Sequence, residues 1–328
     1  MLMIDDKWDR GILERFKNSL PVDRVYSSFF GTLHAALYRL SPVLTARHRY
    51  RLEMGRALRL DHPVTFDEKL FWLMLYWHHP LKSQCTDKYG MRAYAESRGY
   101  GRFLVELLGV YDEPSGIDFA ALPAQFVLKC THGCGFNIFC RDKASLDLKE
   151  TRRQLGLWMK QDYARCHGEV QYADIKPRIL AETWVDAASG TLPIDYKLHC
   201  FHGRVHFTTV CTARLDSGHG GFYDHFDRDW QNQMAISRLG VHTERWHPRP
   251  ECYPVMVEVA EALAEPFPYV RVDFYCVGGA TLLGEMTFTP AGCIDPEFTE
   301  EAEFHLGELI HLPDPIPPAA RGAASMGG

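Results

Sequence analysis

A chain of 328 residues with 46% hydrophobic content can bury one large composite core or the cores of two to three lobes. Its formal net charge of −6 gives no general case for nucleic-acid binding, and no apolar run is long enough to span a bilayer. The ten cysteines show neither the close spacing of a disulfide framework nor repeated Cys-x-x-Cys pairs. With no cleavable signal in view, they read as free thiols of a reducing, cytoplasmic compartment.

Residues 1 to about 60 read as amphipathic helices, with 11 Lys and Arg against 6 Asp and Glu. Arg47, Arg49, Arg51, Arg56 and Arg59 cluster there, interleaved with Leu, Tyr and Phe. Such a face is ordinarily solvated, and it also suits an anionic polymer or an anionic membrane surface. "PVTFDEKLFWLMLYWHHP" predicts a helix capped by Thr65, with Glu68 completing a capping box. "TDKYGMRAYAESRGYG" predicts a second helix, from a Thr86 or Asp87 cap to Gly99. "LPAQFVLKCTHGCGFNIFCRDK" turns β-rich on both sides of a glycine loop. "SLDLKETRRQLGLWMKQDYARC" reads as one amphipathic helix. The stretch from Lys176 to Leu215 supplies three strands, broken at Ala187–Pro193 and at His202-Gly203. "GHGGFYDHFDRDW" reads as a polar, glycine-rich loop, and "CYPVMVEVAEALAEPFP" as a helix ended by prolines. The last stretch, "PDPIPPAARGAASMGG", has the composition of a disordered tail.

Between that helix and the tail lies "RVDFYCVGGATLLGEMTFTPAG", a hairpin whose apolar strands carry Asp273 and Glu285. A two-residue Gly278-Gly279 turn sets Asp273 against Gly284 and sends the acids to opposite faces. A three-residue loop that includes Ala280 sets Asp273 against Glu285. It also gathers Arg271, Asp273, Glu285 and Thr287 on one face, and the clean apolar side left opposite favours this register. Facing carboxylates about 5 Å apart repel unless a positive charge lies between them. A divalent cation with hard oxygen ligands is the natural occupant, and arginine pairing or solvent is the plainer one.

Other signals are individually weak. Lys129 ends an apolar strand before Gly133-Cys134-Gly135, a loop whose N–H groups can approach phosphate while the lysine supplies charge. Cys130, His132 and Cys134 alternate but lack a fourth zinc ligand. Glu182 ends the strand "ILAETWVD", and Asp195 and Lys197 share a face of "IDYKLHCF". No G-x-G-x-x-G or G-x-x-x-x-G-K-[ST] phosphate motif occurs, nor G-x-S-x-G or H-E-x-x-H. The order of the signals is more specific than any one of them.

In that order, over roughly residues 60–312, the chain resembles the ATP-grasp superfamily, in particular its teichuronopeptide-biosynthesis (TupA-like) type. The resemblance is carried by "TFDEKLFWLMLY", "TDKYGMRAY", "LPAQFVLKCTHGCGFNIF", "KPRILAETWV", "DYKLHCFHGRVHF", "FPYVRVDFY" and "GEMTFTPAGC". It implies an α+β ATP-grasp fold, two lobes with antiparallel sheets around ATP, preceded by a helical N-terminal region. The implied division is 1–62 helical, 63–120 a preceding lobe, 121–186 the small lobe, 187–312 the large lobe and 313–328 a tail. Lys88 and Lys129 resemble the phosphate-contacting lysines, and Gly133 and Gly135 the mobile loop. Glu182 would meet the adenine amino group, with Val185 at the hinge and Asp195 and Lys197 lining the nucleotide side. Asp273 and Glu285 resemble the magnesium ligands. Arg271 resembles the arginine aimed at the transferred phosphoryl group, and Thr289 to Gly292 a substrate loop. Thr287 stands where most such ligases have asparagine, a threonine that the TupA-like type shares, and Cys134 replaces a small serine.

The implied cofactors are ATP and Mg2+. The implied activity is a carboxylate–amine ligase working through an acyl phosphate, in cell-surface polysaccharide, peptidic polymer or secondary-metabolite assembly. Its partners are a small-molecule or saccharide-linked carboxylate and an amine. The alternatives are a phosphotransferase acting on a sugar hydroxyl and a glycosyltransferase.

Overall fold

The computed structural model describes residues 34–185, 192–212, 222–238, 246–295 and 298–317. Residues 34–40 are helical and lead through Ser41, whose Oγ accepts from Val43 N at 3.2 Å, into α1 (Pro42–Met54). Gly55, in the left-handed region, ends that helix. The predicted capping box opens α2 (Phe66–Tyr76): Glu68 N donates to Thr65 Oγ1 at 3.4 Å, and Thr65 N donates back to Glu68 Oε2 at 3.3 Å. Then come α3 (Pro80–Thr86) and α4 (Lys88–Ser97), the second capped by Asp87. Residues 1–33, part of the region read as helical, lie outside the described residues.

A sheet of four strands follows: β1 (Leu107–Tyr111), β2 (Phe126–Cys130), β3 (Asn137–Cys140) and β4 (Ile179–Thr183), antiparallel in the order β1-β4-β2-β3. Its core joins Phe126, Leu128, Ile179 and Ala181 to Leu155 of α5 (Leu148–Met159) and Tyr163 of α6 (Tyr163–His167). These are two helices where the sequence suggested one, because Asp162 caps a new start by accepting from Arg165 N. β1 was not anticipated; its only signal was the short run Leu-Leu-Gly-Val-Tyr.

The second sheet holds β5 (Asp195–Phe201), β6 (Arg204–Thr212), β7 (Phe222–Asp227), β8 (Tyr269–Val277) and β9 (Ala280–Thr287), antiparallel in the order β7-β6-β5-β8-β9. α7 (Tyr253–Ala264) packs on β5, β6, β8 and β9, and α8 (Glu300–Glu308) packs on α2. One continuous core runs from Tyr50 and Phe71 through Leu198, Val272 and Leu283 to Leu306, so α1–α4 share their interior with this sheet. β7 corrects part of the glycine-rich loop read from sequence. Residues 222–227 pair with β6 along their length and bury Phe226, while residues 218–221 lie outside the described residues. The segment read as a tail also begins with structure: Ile316 pairs with Trp77, and its carbonyl accepts from His78 N at 2.9 Å. Residues 318–328 lie outside the described residues.

The hairpin combines both registers weighed from sequence. Its turn is the two-residue one, with Val277 opposite Ala280 and both Gly278 and Gly279 at positive φ. A bulge then intervenes: Phe274 faces Leu283 and Asp273 faces Glu285, leaving Gly284 as the extra residue. The three-residue loop is thereby corrected, while the Asp273–Glu285 pairing it was meant to explain stands. Leu283, not Gly284, fills the apolar face opposite Phe274, and it is buried.

The reading of every cysteine as a free thiol is corrected as well, since Cys252 of the α7 start and Cys276 of β8 are disulfide-bonded. No helix among the described residues is long and apolar enough to cross a membrane.

The α2–α8 contact holds a proton. Buried Asp67 donates from its N–H to Oε2 of buried Glu303 at 3.1 Å. Burial pushes the Asp67 carboxyl from 3.8 up to about 9, helped by the Glu303 and Asp295 charges, and pushes Glu303 up to about 6. The native state then keeps a proton that the unfolded chain releases near 3.8, so this contribution is complete below that value and is lost as pH rises to about 9. Chemical denaturation at stepped pH should show stability falling across that window, with a slope of up to about 1.4 kcal/mol per pH unit. Asp67→Asn should flatten the slope; a wild-type profile already flat would refute the shared proton.

Candidate nucleotide-binding site

A cavity of about 720 Å³ opens between the two sheets, within the range of ligand pockets. Its walls include Lys88, Lys129, Gly135, Glu182, Val185, Asp195, Lys197, Arg271, Asp273, Glu285, Thr287, Thr289 and Gly292. Every site residue expected from sequence except Gly133 lines it, and Gly133 sits one residue from Cys134 on the same wall.

On the second sheet the alternation of β5 and β8 turns charged residues to one face, and antiparallel pairing sets Lys197 against Asp273 and His199 against Arg271. Lys197 Nζ donates to Asp195 Oδ2 at 2.6 Å and to Asp273 Oδ2 at 3.0 Å. Arg271 grips Asp273 with two bonds of 2.7 Å, from Nε and Nη2. Its Nη2 also donates to Thr287 Oγ1 at 3.2 Å and lies 3.7 Å from Glu285 Oε1. Burial pushes the Asp273 carboxyl up, but the Arg271 and Lys197 charges more than reverse this and hold it at about 2. Burial likewise pulls Lys197 and Arg271 down, and their acids outweigh it, so both stay charged. His199 is held well below its ordinary value by burial and by Arg271. It spans Tyr269 Oη and Thr209 Oγ1 at 2.9 and 3.1 Å.

On the first sheet Lys129 Nζ lies 2.6 Å from Glu182 Oε2, and Arg92 of α4 donates to Oε1 at 3.1 Å. Glu182 is therefore the shared counterion of two cations. It is not the lone strand-end acceptor that sequence suggested. Burial pulls the Lys129 ammonium down, and Glu182 beside it raises it above its ordinary value. Lys88 Nζ donates to the Gly133 carbonyl at 2.6 Å, tethering the glycine loop to α4. A Cβ at Gly133 would stand 2.6 Å from the Phe136 ring and 2.7 Å from Tyr163 Cδ2, so close packing demands this glycine. Gly135 instead supplies a positive φ of 75°. Val185 borders the cavity at the end of the described chain before residue 192.

After β9, Ala291, Gly292 and Cys293 all adopt positive φ, a turn that holds residues 289–292 against the cavity. Thr289 Oγ1 donates to Glu169 Oε2 and accepts from Gln171 Nε2 at 2.8 Å. Sequence reasoning passed over Arg92, Glu169 and Arg49, which also face this space or its charges. Arg92 stood in the quoted "DKYGMRAY", whereas Glu169 carried no local signal.

Among the described residues no three His, Cys, Asp or Glu converge as a closed metal cage. Two carboxylates across a ladder and one hydroxyl are oxygen-only and incomplete, as suits a cation that shares its shell with phosphates.

The chain matches the family model described as TupA-like ATPgrasp over residues 68–311. Among curated proteins none matches it. Among solved structures it is similar to a D-cycloserine synthetase, with 14% identity and a TM-score of 0.41 over 70% of each chain. It is similar to an L-amino acid ligase from Bacillus licheniformis, with 14% identity and a TM-score of 0.44, covering 66% of this chain and 46% of that one. It is also similar to a D-alanine–D-alanine ligase from Bacillus anthracis, with 13% identity and a TM-score of 0.43, covering 69% and 66%. Matched across its two sheets and through the hairpin that carries Arg271, Asp273 and Glu285, the chain belongs to the TupA-like ATP-grasp family.

Proposed function

We propose that the chain is an ATP-dependent carboxylate–amine ligase that forms an amide through an acyl phosphate, with ATP and Mg2+ as cofactors. The observation that carries this reading is the charged row Lys197–Asp273–Arg271–Glu285, facing Lys129 and the glycine loop across one cavity, in a member of the ATP-grasp family. Residues 121–186 serve as the small lobe and 187–312 as the large one, with 1–62 and 63–120 preceding them and 313–328 following.

In this reading Lys129 and Lys88 meet the phosphates, Lys88 already being in place beside the Gly133 carbonyl. Glu182 and the Val185 backbone meet the adenine, and Asp195 keeps Lys197 charged toward the nucleotide. Asp273, Glu285 and Thr287 would hold magnesium, which when bound would neutralise charge on phosphate oxygens. Arg271 is placed to stabilise charge on the transferred group, because it is held as a cation on the same face. Gly133, Gly135 and the residues between them shield the acyl phosphate from water before the amine attacks. Thr289, anchored by Glu169, shapes the substrate end. The partners are a small-molecule or saccharide-linked carboxylate and an amine. The resemblance to the teichuronopeptide type suggests cell-surface polysaccharide, peptidic polymer or secondary-metabolite assembly, and dependence on ATP suits the cytoplasm.

A coupled ADP-release assay over candidate acids and amines tests the activity. If no pair consumes ATP and no nucleotide binds with magnesium, the ligase reading fails. The two acids should also separate by stability. Glu285, 41% exposed and 3.7 Å from Arg271, should on mutation to Gln lose turnover on the order of a hundredfold while shifting stability by less than about 0.5 kcal/mol. Asp273→Asn should lose turnover and also about 3–5 kcal/mol in urea denaturation, since it strands the buried Arg271 and leaves Lys197 with Asp195 alone. Wild-type rates in both variants would break the assignment.

A further inference from the structure

The far end of the cavity, beyond Thr289, is closed by a residue from outside the matched family region. Arg49 of α1 lines the cavity, and its side chain is 13% exposed. The family match begins at residue 68. Its Nη1 donates to the His167 carbonyl at 2.7 Å, which fixes the plane of the guanidinium. Its Nε lies 3.5 Å from Glu53 Oε1, a contact with a side chain 47% exposed. Among the described residues no hydrogen bond engages Nη2.

The wall around Arg49 is built to bring that nitrogen forward. A Cβ at Gly292 would stand 2.8 Å from Nη2, so the substrate turn presses its glycine, at φ 65°, directly against the guanidinium. Gly168 leaves room for Thr45 and for the Arg49 stem in the same way. Burial and the Arg49 charge hold His167 at about 4, so the ring adds no second charge beside it. Glu169 feels the Arg49 charge without forming an ion pair with it, because its carboxylate is spent on Thr289 and Gln171. A largely desolvated arginine with an open donor and only a long, half-exposed partner is an anion receptor looking for its anion.

Its place in the sequence of contacts says which anion. Along β8 and β9 the charged face passes from Asp273 to Arg271 and Thr287, and the chain continues through Thr289 to Gly292. Nucleotide contacts fall on the Glu182 and Lys197 side of that order, and Arg49 falls past its other end. We propose that Arg49 forms a subsite for the carboxylate of the amine acceptor, so that the acceptor class is an amine carrying a free acid group. This rests on the ligase reading above.

The test uses the full chain with a non-hydrolysable ATP analogue and magnesium. Calorimetric titration compares the proteinogenic amino acids with their carboxamides on wild type, Arg49→Lys and Arg49→Gln. Wild type should bind at least one free acid about tenfold or more tighter than its amide, the scale of one charge-assisted hydrogen bond. Arg49→Gln should bind acid and amide alike, Arg49→Lys should keep part of the preference, and affinity for the analogue should move by less than about threefold. Melting temperatures identify any variant that fails to fold, and Arg49→Lys keeps the comparison if Arg49→Gln does. Analogue binding with no preference for any free acid in wild type overturns the subsite alone, as does a preference that survives in Arg49→Gln. Absence of analogue binding in wild type brings down the ligase reading and the subsite with it.

Discussion

One extra residue in β9 decides what the second sheet can do. Run without interruption from its two-residue turn, the β8–β9 ladder would set Asp273 against Gly284, send Glu285 to the apolar side with Leu283 and turn Met286 to the charged side. The bulge at Gly284 shifts the frame by one, so that Glu285 and Thr287 join Arg271 and Asp273. Glycine suits the site: a Cβ there would stand 3.2 Å from the Asp273 carbonyl oxygen and 3.4 Å from the Tyr275 ring. The apolar residues keep their own side, because Leu283 moves into the place opposite Phe274. A single insertion thus reconciles a tight turn, a filled core and a face with two acids.

That face is a costly arrangement unless each charge answers another. Asp273 satisfies Arg271 and Lys197 together, and Lys197 reaches Asp195 as well, so the buried charges form a closed chain. Such chains often contribute little net stability once desolvation is counted. What they provide is fixed dipoles and charges at a surface where, in the proposed reaction, a phosphate's charge would be met without reorganisation at that moment. Glu285, at the outer end of the row, is the member held least.

Much of this was legible in the sequence, and the omissions have physical causes. The capping box at Thr65 and Glu68, the glycine loop between β2 and β3, and strands β4, β5 and β6 rest on local rules that neighbours along the chain enforce. The bulge is not local: two turn lengths were compatible with the residues, and only packing of Leu283 beneath the sheet selects the short turn plus an insertion. β7 was hidden by its Asp and Gly neighbours, since an edge strand tolerates polar residues that a central strand would not. The Cys252–Cys276 pair was hidden because its partners come together only when α7 lies on β8. Glu182 was read alone because Arg92 and Lys129 reach it from different elements. Arg49 looked like one more surface cation among five until the turn at Gly292 was seen against it.

The cavity also lies where two separate cores meet, one under the first sheet and one under the second together with α1–α4. The bonds between α4, which belongs to the second core, and the first sheet and its loops are largely polar: Arg92 to Glu182, Lys88 to the Gly133 carbonyl, and Asp87 near Arg178 at 3.7 Å. Apolar interiors are close-packed and resist sliding, whereas polar bonds can be exchanged for others of similar strength. A molecule that opens for ATP and closes over an acyl phosphate, as proposed above, needs stiffness within each lobe and exchangeable contacts between them. The partition of residues supplies both, because the exchangeable bonds end on Lys88, Gly133 and Glu182, the groups that a nucleotide would engage.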